Sequence, residues 1–86
     1  KLVSNYLHIP ISLLKAKTRK REVVYARHLT MSTLRSQTKI SLVTIGKAFN
    51  RDHTSVIHAM DHIRDLIFSD PIVKRDVENI TKLIEQ

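Results

Sequence analysis

The sequence predicts an all-α fold, a single small helical domain containing a helix-turn-helix. Three observations predict it: apolar residues recur with a period near 3.6, only one Gly and two Pro punctuate the chain, and 86 residues have room for one core. Residues 1–86 are therefore read as one domain. With no Cys, neither a disulfide framework nor a thiolate metal site is available. No apolar run approaches the roughly 18 residues of a membrane span, and no signal peptide is visible. The sequence starts at Lys1 inside an apolar-periodic stretch, which suggests a domain excised from something longer.

Lys1 to His8 reads as the end of a helix, with Leu2, Val3, Tyr6 and Leu7 on one side. Pro10 closes it by biasing Ile9 away from helical angles. Ile11 to Lys15 fits a short helical turn in which Ser12 caps and Leu13 or Leu14 packs inward. The stretch Lys15 to Glu22, KAKTRKRE, is a basic loop in which five of eight side chains are cationic. A longer helix comes next over Glu22 to Gln37, with Val23, Ala26, Met31 and Leu34 inward. Arg27 falls inside that apolar stripe. Its long stem can lie along apolar surface while the guanidinium either clamps a phosphate or forms an internal ion pair, Asp52 being the candidate partner. His28 and Arg35 lie on the polar side, facing phosphates or water.

From Ser41, an N-cap, the pattern becomes two helices broken by a very short turn. Leu42, Ile45 and Phe49 recur at helical spacing in the first, and Val56, Met60, Ile63 and Ile67 in the second, which runs to about Ser69 with Asp61, His62 and Asp65 outward. Asn50, which tolerates left-handed backbone angles, makes the reversal, and Asp52 caps the second helix of the pair. Gly46 costs about 1 kcal/mol against Ala in a helix interior, so its presence suggests close approach by another helix. Asp70-Pro71 then restarts the chain with a cap and a Pro at the first helical position. Val73, Val77, Ile80 and Ile84 form a heptad-like seam on a last helix that closes the core, while two acids near its outer face offer a contact to a partner protein.

The residues that open the second helix of the pair, Arg51, Asp52, His53, Thr54 and Ser55, are all polar, and the apolar face starts only at Val56. A recognition helix presents such an N-terminal tip to base edges in a major groove. The bland reading is an ordinary capped helix start. Charge favours the sharper one. The net charge of +7 comes entirely from the first half, where Lys1 to Lys39 hold nine Lys or Arg against one acid, Glu22. A one-sided basic field suits a polyanion, nucleic acid first and an acidic membrane surface a weak second. Within the basic loop, Lys17, Lys20 and Arg21 suit phosphates, which makes affinity salt-dependent, and Arg19 is placed to enter an adjacent minor groove.

At IGKAFNRDHTSVIHA, Ile45 to Ala59, the sequence resembles the signature of the C-terminal DNA-binding domain of the bacterial replication initiator DnaA, I-G-x-x-F-G-G-R-D-H-[ST]-T-V-x-H-A. The likeness extends upstream through LLKAKTRKREVVYAR, Leu13 to Arg27, and covers essentially the whole chain. The resemblance implies a Trp-repressor-like helical domain that binds short asymmetric DnaA boxes in double-stranded DNA at the chromosomal origin, in the bacterial cytoplasm. By position it implies that Arg51, Asp52, His53, Thr54 and Ser55 enter the major groove and Arg19 the minor groove, with Arg27, His28 and Arg35 at phosphates. Chemistry agrees, since Asp can accept from cytosine N4 and Thr or Ser can bond either base. Two departures bear on sequence preference: a lone Asn50 stands where the family has Gly-Gly, and Ser55 replaces the more frequent Thr, losing a methyl.

Enzymatic readings find little support. Full-length members of the family carry an ATPase module, but a phosphate loop of the form G-x-x-x-x-G-K-[ST] cannot exist in a chain with one Gly. His58 and His62 stand four apart beside Asp61 and Asp65, yet no H-E-x-x-H pattern is present. The expectation is therefore a binding domain without catalysis, metal, cofactor or small-molecule substrate. The alternatives are a related helix-turn-helix of a repressor or transposase, and a protein-interaction domain that has lost DNA.

Overall fold

The computed structural model describes Leu7 and residues 11–85, so the helix end expected over Lys1 to Pro10 lies, Leu7 apart, outside the described residues, as does the side chain of Ile84. The elements are α1 Ile11–Leu14, α2 Arg21–Gln37, α3 Leu42–Ala48, α4 His53–Ser69 and α5 Pro71–Glu85, with no strand among the described residues. Helix α4 is central and packs against α2, α3 and α5.

Within α1, Leu14 is buried and Leu13 is exposed, which settles which of the two packs inward. Ser12 lies inside that helix rather than ahead of it, so it does not cap. Helix α2 begins one residue earlier than expected and buries Val23, Ala26 and Met31 with Leu34 half-buried, but it also buries Leu29, Thr30 and Thr33. The reason is its neighbours. It packs through Ala26 and Met31 against α3 and the start of α4, and through Leu29 against the later part of α4 and α5, so two stripes are covered rather than one. Thr30 is tolerated there because its hydroxyl donates to the Ala26 carbonyl of the preceding turn at 2.8 Å.

Two apolar clusters result. Under the helix pair, Leu14, Ala26, Met31, Ile45, Phe49 and Val56 pack together. On the far side Leu29, Ile63 and Ile80 join α2, α4 and α5, and each such fully buried side chain contributes about 1.5–3 kcal/mol. The seam on α5 is as expected where it is described, with Val73 and Ile80 buried and Val77 half-buried. Asp70 starts that helix by accepting the Ile72 N–H at 2.9 Å, ahead of Pro71 at the first helical position. One acid of α5 does not face outward. Asp76 is 4% exposed and accepts the Tyr25 hydroxyl at 2.7 Å, pinning α5 to α2.

Candidate nucleic-acid interface

Helix α3 starts where Ser41 caps it, the Ser41 hydroxyl oxygen accepting the Thr44 N–H at 3.2 Å. The reversal to α4 is built from backbone. Asn50 takes φ of 57°, the only positive value among the described non-Gly residues. The Gly46 carbonyl accepts the Phe49 N–H at 3.0 Å and the Arg51 N–H at 2.8 Å, folding the chain back over the glycine. This explains Gly46, though not as expected. A Cβ there would lie 2.7 Å from the Arg51 carbonyl oxygen and 3.1 Å from the Asp52 carbonyl carbon, so the close approach is by the turn and not by another helix.

The tip of α4 faces outward. Asp52, His53 and Thr54 are exposed and Ser55 is half-buried, while Val56 behind them is fully buried. Asp52 occupies the N-cap position, but its side chain makes none of the usual cap bonds. Instead, one carboxylate oxygen, Oδ1, lies 2.8 Å from His53 Nδ1, and the other, Oδ2, accepts the Thr54 hydroxyl at 2.9 Å. The Asp52 carboxyl is held below its ordinary value, first by the Thr54 hydroxyl, then by the His53 backbone N–H. Ile57, half-exposed one turn after Thr54, extends this outward face with an apolar side chain. The i+3 spacing from Thr54 was the available signal for it.

Three residues expected at the DNA are placed differently. Arg27 is 6% exposed, and its Nε donates to the Leu14 carbonyl at 2.8 Å while one terminal nitrogen donates to Ala16 at 2.8 Å and Thr18 at 3.4 Å. It is neither a phosphate clamp nor an ion-pair partner of Asp52, because its donors are turned onto the loop. Arg51 does the same from the turn, reaching the carbonyls of Phe49 at 2.7 Å and Ala16 at 2.9 Å. Two of its five N–H donors are thus held by main-chain carbonyls of the protein. His28 is half-buried, with Nδ1 2.7 Å from Nδ1 of His62, which is exposed as expected. Burial first, then the charges of His62, Arg27 and Arg51, lower its pKa to about 4, so near neutrality it brings no charge to a phosphate.

Two guanidinium groups therefore converge on the carbonyl of Ala16, and none of the ion pairs among the described residues supplies either with a carboxylate. Burial, and after it the Arg51 charge, lowers the pKa of Arg27, which stays a cation near neutrality. The convergence ties the start of the basic loop to the turn ahead of the α4 tip. Sequence reasoning missed it because a backbone carbonyl leaves no mark in the residue pattern. Lys17, Arg19, Lys20 and Arg21 are exposed, as is Arg35 in the last turn of α2. Arg19 and Arg21 also border a cleft of about 570 Å³ between α2, the later half of α4 and the start of α5. No group of three or more metal-ligating side chains is present among the described residues, and no helix there is long and apolar enough to cross a membrane.

A short capped helix, a tight turn through a left-handed residue and a longer helix with an exposed polar tip define a helix-turn-helix domain of the DNA-binding class. Residues 1–63 match the family described as the bacterial dnaA protein helix-turn-helix. The chain belongs to that family. It is 40% identical over 83 residues to the chromosomal replication initiator protein DnaA of Enterococcus faecalis, covering 95% of this chain and 19% of that protein. To the chromosomal replication initiator protein DnaA of Flavobacterium psychrophilum it is 41% identical over 83 residues, covering 95% of this chain and 17% of that protein. The chain thus spans less than a fifth of the length of these relatives.

Proposed function

We propose that this chain is the origin-binding module of a replication initiator, recognising DnaA-box-like sites in double-stranded DNA. The tip of α4, from Asp52 to Ser55, reads base edges in the major groove, and Arg19 enters the neighbouring minor groove. Lys17, Lys20, Arg21 and Arg35 neutralise phosphates. Arg27 and Arg51 hold the loop and the tip in register, and neither is assigned a contact of its own. The observation that supports this reading is the shared Ala16 carbonyl, because a bond from Arg51 to Ala16 ties the start of the basic loop to the turn ahead of the exposed tip. In the parent chain the module acts beside an ATPase domain, in the bacterial cytoplasm at the nucleoid, and itself performs no catalysis and needs no cofactor.

Selection of bound duplexes from a random pool tests the proposal directly. A short asymmetric site should be enriched, and His53→Ala or Arg19→Ala should each weaken binding to it by about 1–3 kcal/mol. Lys17→Ala or Lys20→Ala should weaken all duplexes about equally and flatten the salt dependence. A pool that emerges unenriched, with binding that tracks only salt, would overturn the sequence-specific reading.

A further inference from the structure

Phe68 is the most exposed large apolar side chain among the described residues, 88% open to solvent near the end of α4. It ends a stripe on the outward face of that helix, Asp61, Arg64, Asp65 and Phe68, spaced i, i+3, i+4 and i+7. Arg64 donates to Asp61 at 2.7 Å, which leaves Asp65, one turn before the ring, outside the ion pairs among the described residues. The cleft between α2, the later half of α4 and the start of α5 has the complementary character. Val24, Tyr25, Leu66 and Val73 line it, as does Ile72, which is itself 59% exposed. Arg19, Arg21 and Glu22 border it without an ion pair among the described residues, while the Asp70 carboxylate is engaged in starting α5, accepting the Ile72 N–H. Two cations against one unengaged acid leave the rim positive. The volume of about 570 Å³ is that of a pocket able to hold a bound group, roughly 300–1,000 Å³.

We propose that this chain associates head to tail, with Phe68 of one copy seated in the cleft of the next and Asp65 of the first facing Arg19 and Arg21 of the second. Each residue of a helix is rotated by about 100° from the last, so Phe68 lies about 160° around α4 from Leu66 on the cleft wall. A chain's own ring therefore cannot fill its own cleft, and the contact is heterologous. One seated aromatic must offset the freedom lost on association, so the affinity is weak, with a Kd on the order of 0.1 mM. In the DNA-binding reading Arg19 and Arg21 also serve the duplex, so a seated copy and a duplex exclude one another. Only this exclusion rests on that reading; the association does not.

Sedimentation equilibrium of the 86-residue chain, at concentrations on both sides of that Kd, tests the contact. The average mass should rise with concentration. Phe68→Ser removes the ring from an exposed position, and Ile72→Glu places a carboxylate in the cleft at an exposed first-turn position that the helix dipole favours. Each variant should stay monomeric with an unchanged thermal melt. Because each keeps the half of the contact that the other has lost, an equimolar mixture should form a one-to-one dimer and grow no further. A saturating short duplex should release the wild-type assemblies, and both variants should bind that duplex as the wild-type chain does. A wild-type chain that stays monomeric throughout, variants that still associate, or a mixture no heavier than its components would each overturn the proposal. Association that survives the saturating duplex would overturn the sharing of Arg19 and Arg21. Failure of the origin-binding reading shows instead as a selection pool without enrichment, which leaves the masses as they are.

Discussion

Gly46→Ala is the sharpest test of how the turn is built. In an unobstructed helix the change would stabilise by about 1 kcal/mol, since Ala is the better helix former. Here the new Cβ would meet the Arg51 carbonyl oxygen at 2.7 Å and the Asp52 carbonyl at 3.1–3.2 Å. Both contacts are backbone, so no rotamer change relieves them. The turn must lift, and in lifting it stretches the hydrogen bonds that the Gly46 carbonyl accepts from Phe49 at 3.0 Å and Arg51 at 2.8 Å. Overpacking of this kind costs about 1–3 kcal/mol, and each weakened bond adds up to about 1 kcal/mol. Set against the propensity gain, the central values leave a net loss of about 2 kcal/mol. Urea unfolding should show a lower midpoint at unchanged slope. An alanine variant as stable as the wild type, or more so, would refute the claim that the glycine exists for the turn.

Other sites give four further expected outcomes. Asn50→Val should destabilise by about 1–2 kcal/mol, because a β-branched residue cannot hold φ of 57° without strain, whereas Asn50→Gly should cost less than half as much; thermal melts separate them. Arg27→Lys should lose about 2 kcal/mol of stability in urea and weaken duplex binding through a loosened loop, because an ammonium cannot span the Leu14 and Ala16 carbonyls as the fork does. Tyr25→Phe should cost about 1–3 kcal/mol by leaving the buried Asp76 carboxylate one donor short, read as a lower urea midpoint. Because the pKa of His28 falls from 6.5 to about 4 on folding, the unfolded chain binds more protons between those values; stability should therefore fall as pH drops through that window, and His28→Gln should flatten the dependence in urea titrations.

Much of this was legible in the chain. Ser41 and Asp70 act as the caps their residue types announce, Asn50 takes the left-handed angles that its short polar side chain tolerates, and Val56 and Ile63 are buried on the stripe that their spacing marks. These features are local or periodic, and a short stretch of sequence carries all the physics they need. Leu29 was not legible in the same way. A single apolar stripe on α2 describes one neighbour, and only the packing of α5 as well explains why a second stripe is covered.

The polar tip of α4, the basic loop and the all-helical class were determined by the sequence alone, because composition, charge order and hydrophobic period do not depend on where the chain ends up. What the arginines and histidines of the site touch was decided only by the tertiary structure. Arg27, Arg51 and His28 each read as a cation available to a ligand, yet the fold brings Arg27 and Arg51 to one carbonyl of Ala16 and sets His28 against His62. The physical reason is that a long polar side chain bonds to whatever partner lies within reach, and these partners come from distant parts of the chain. For the two arginines they are main-chain oxygens, which look alike at every position of a sequence until folding gives each one a place.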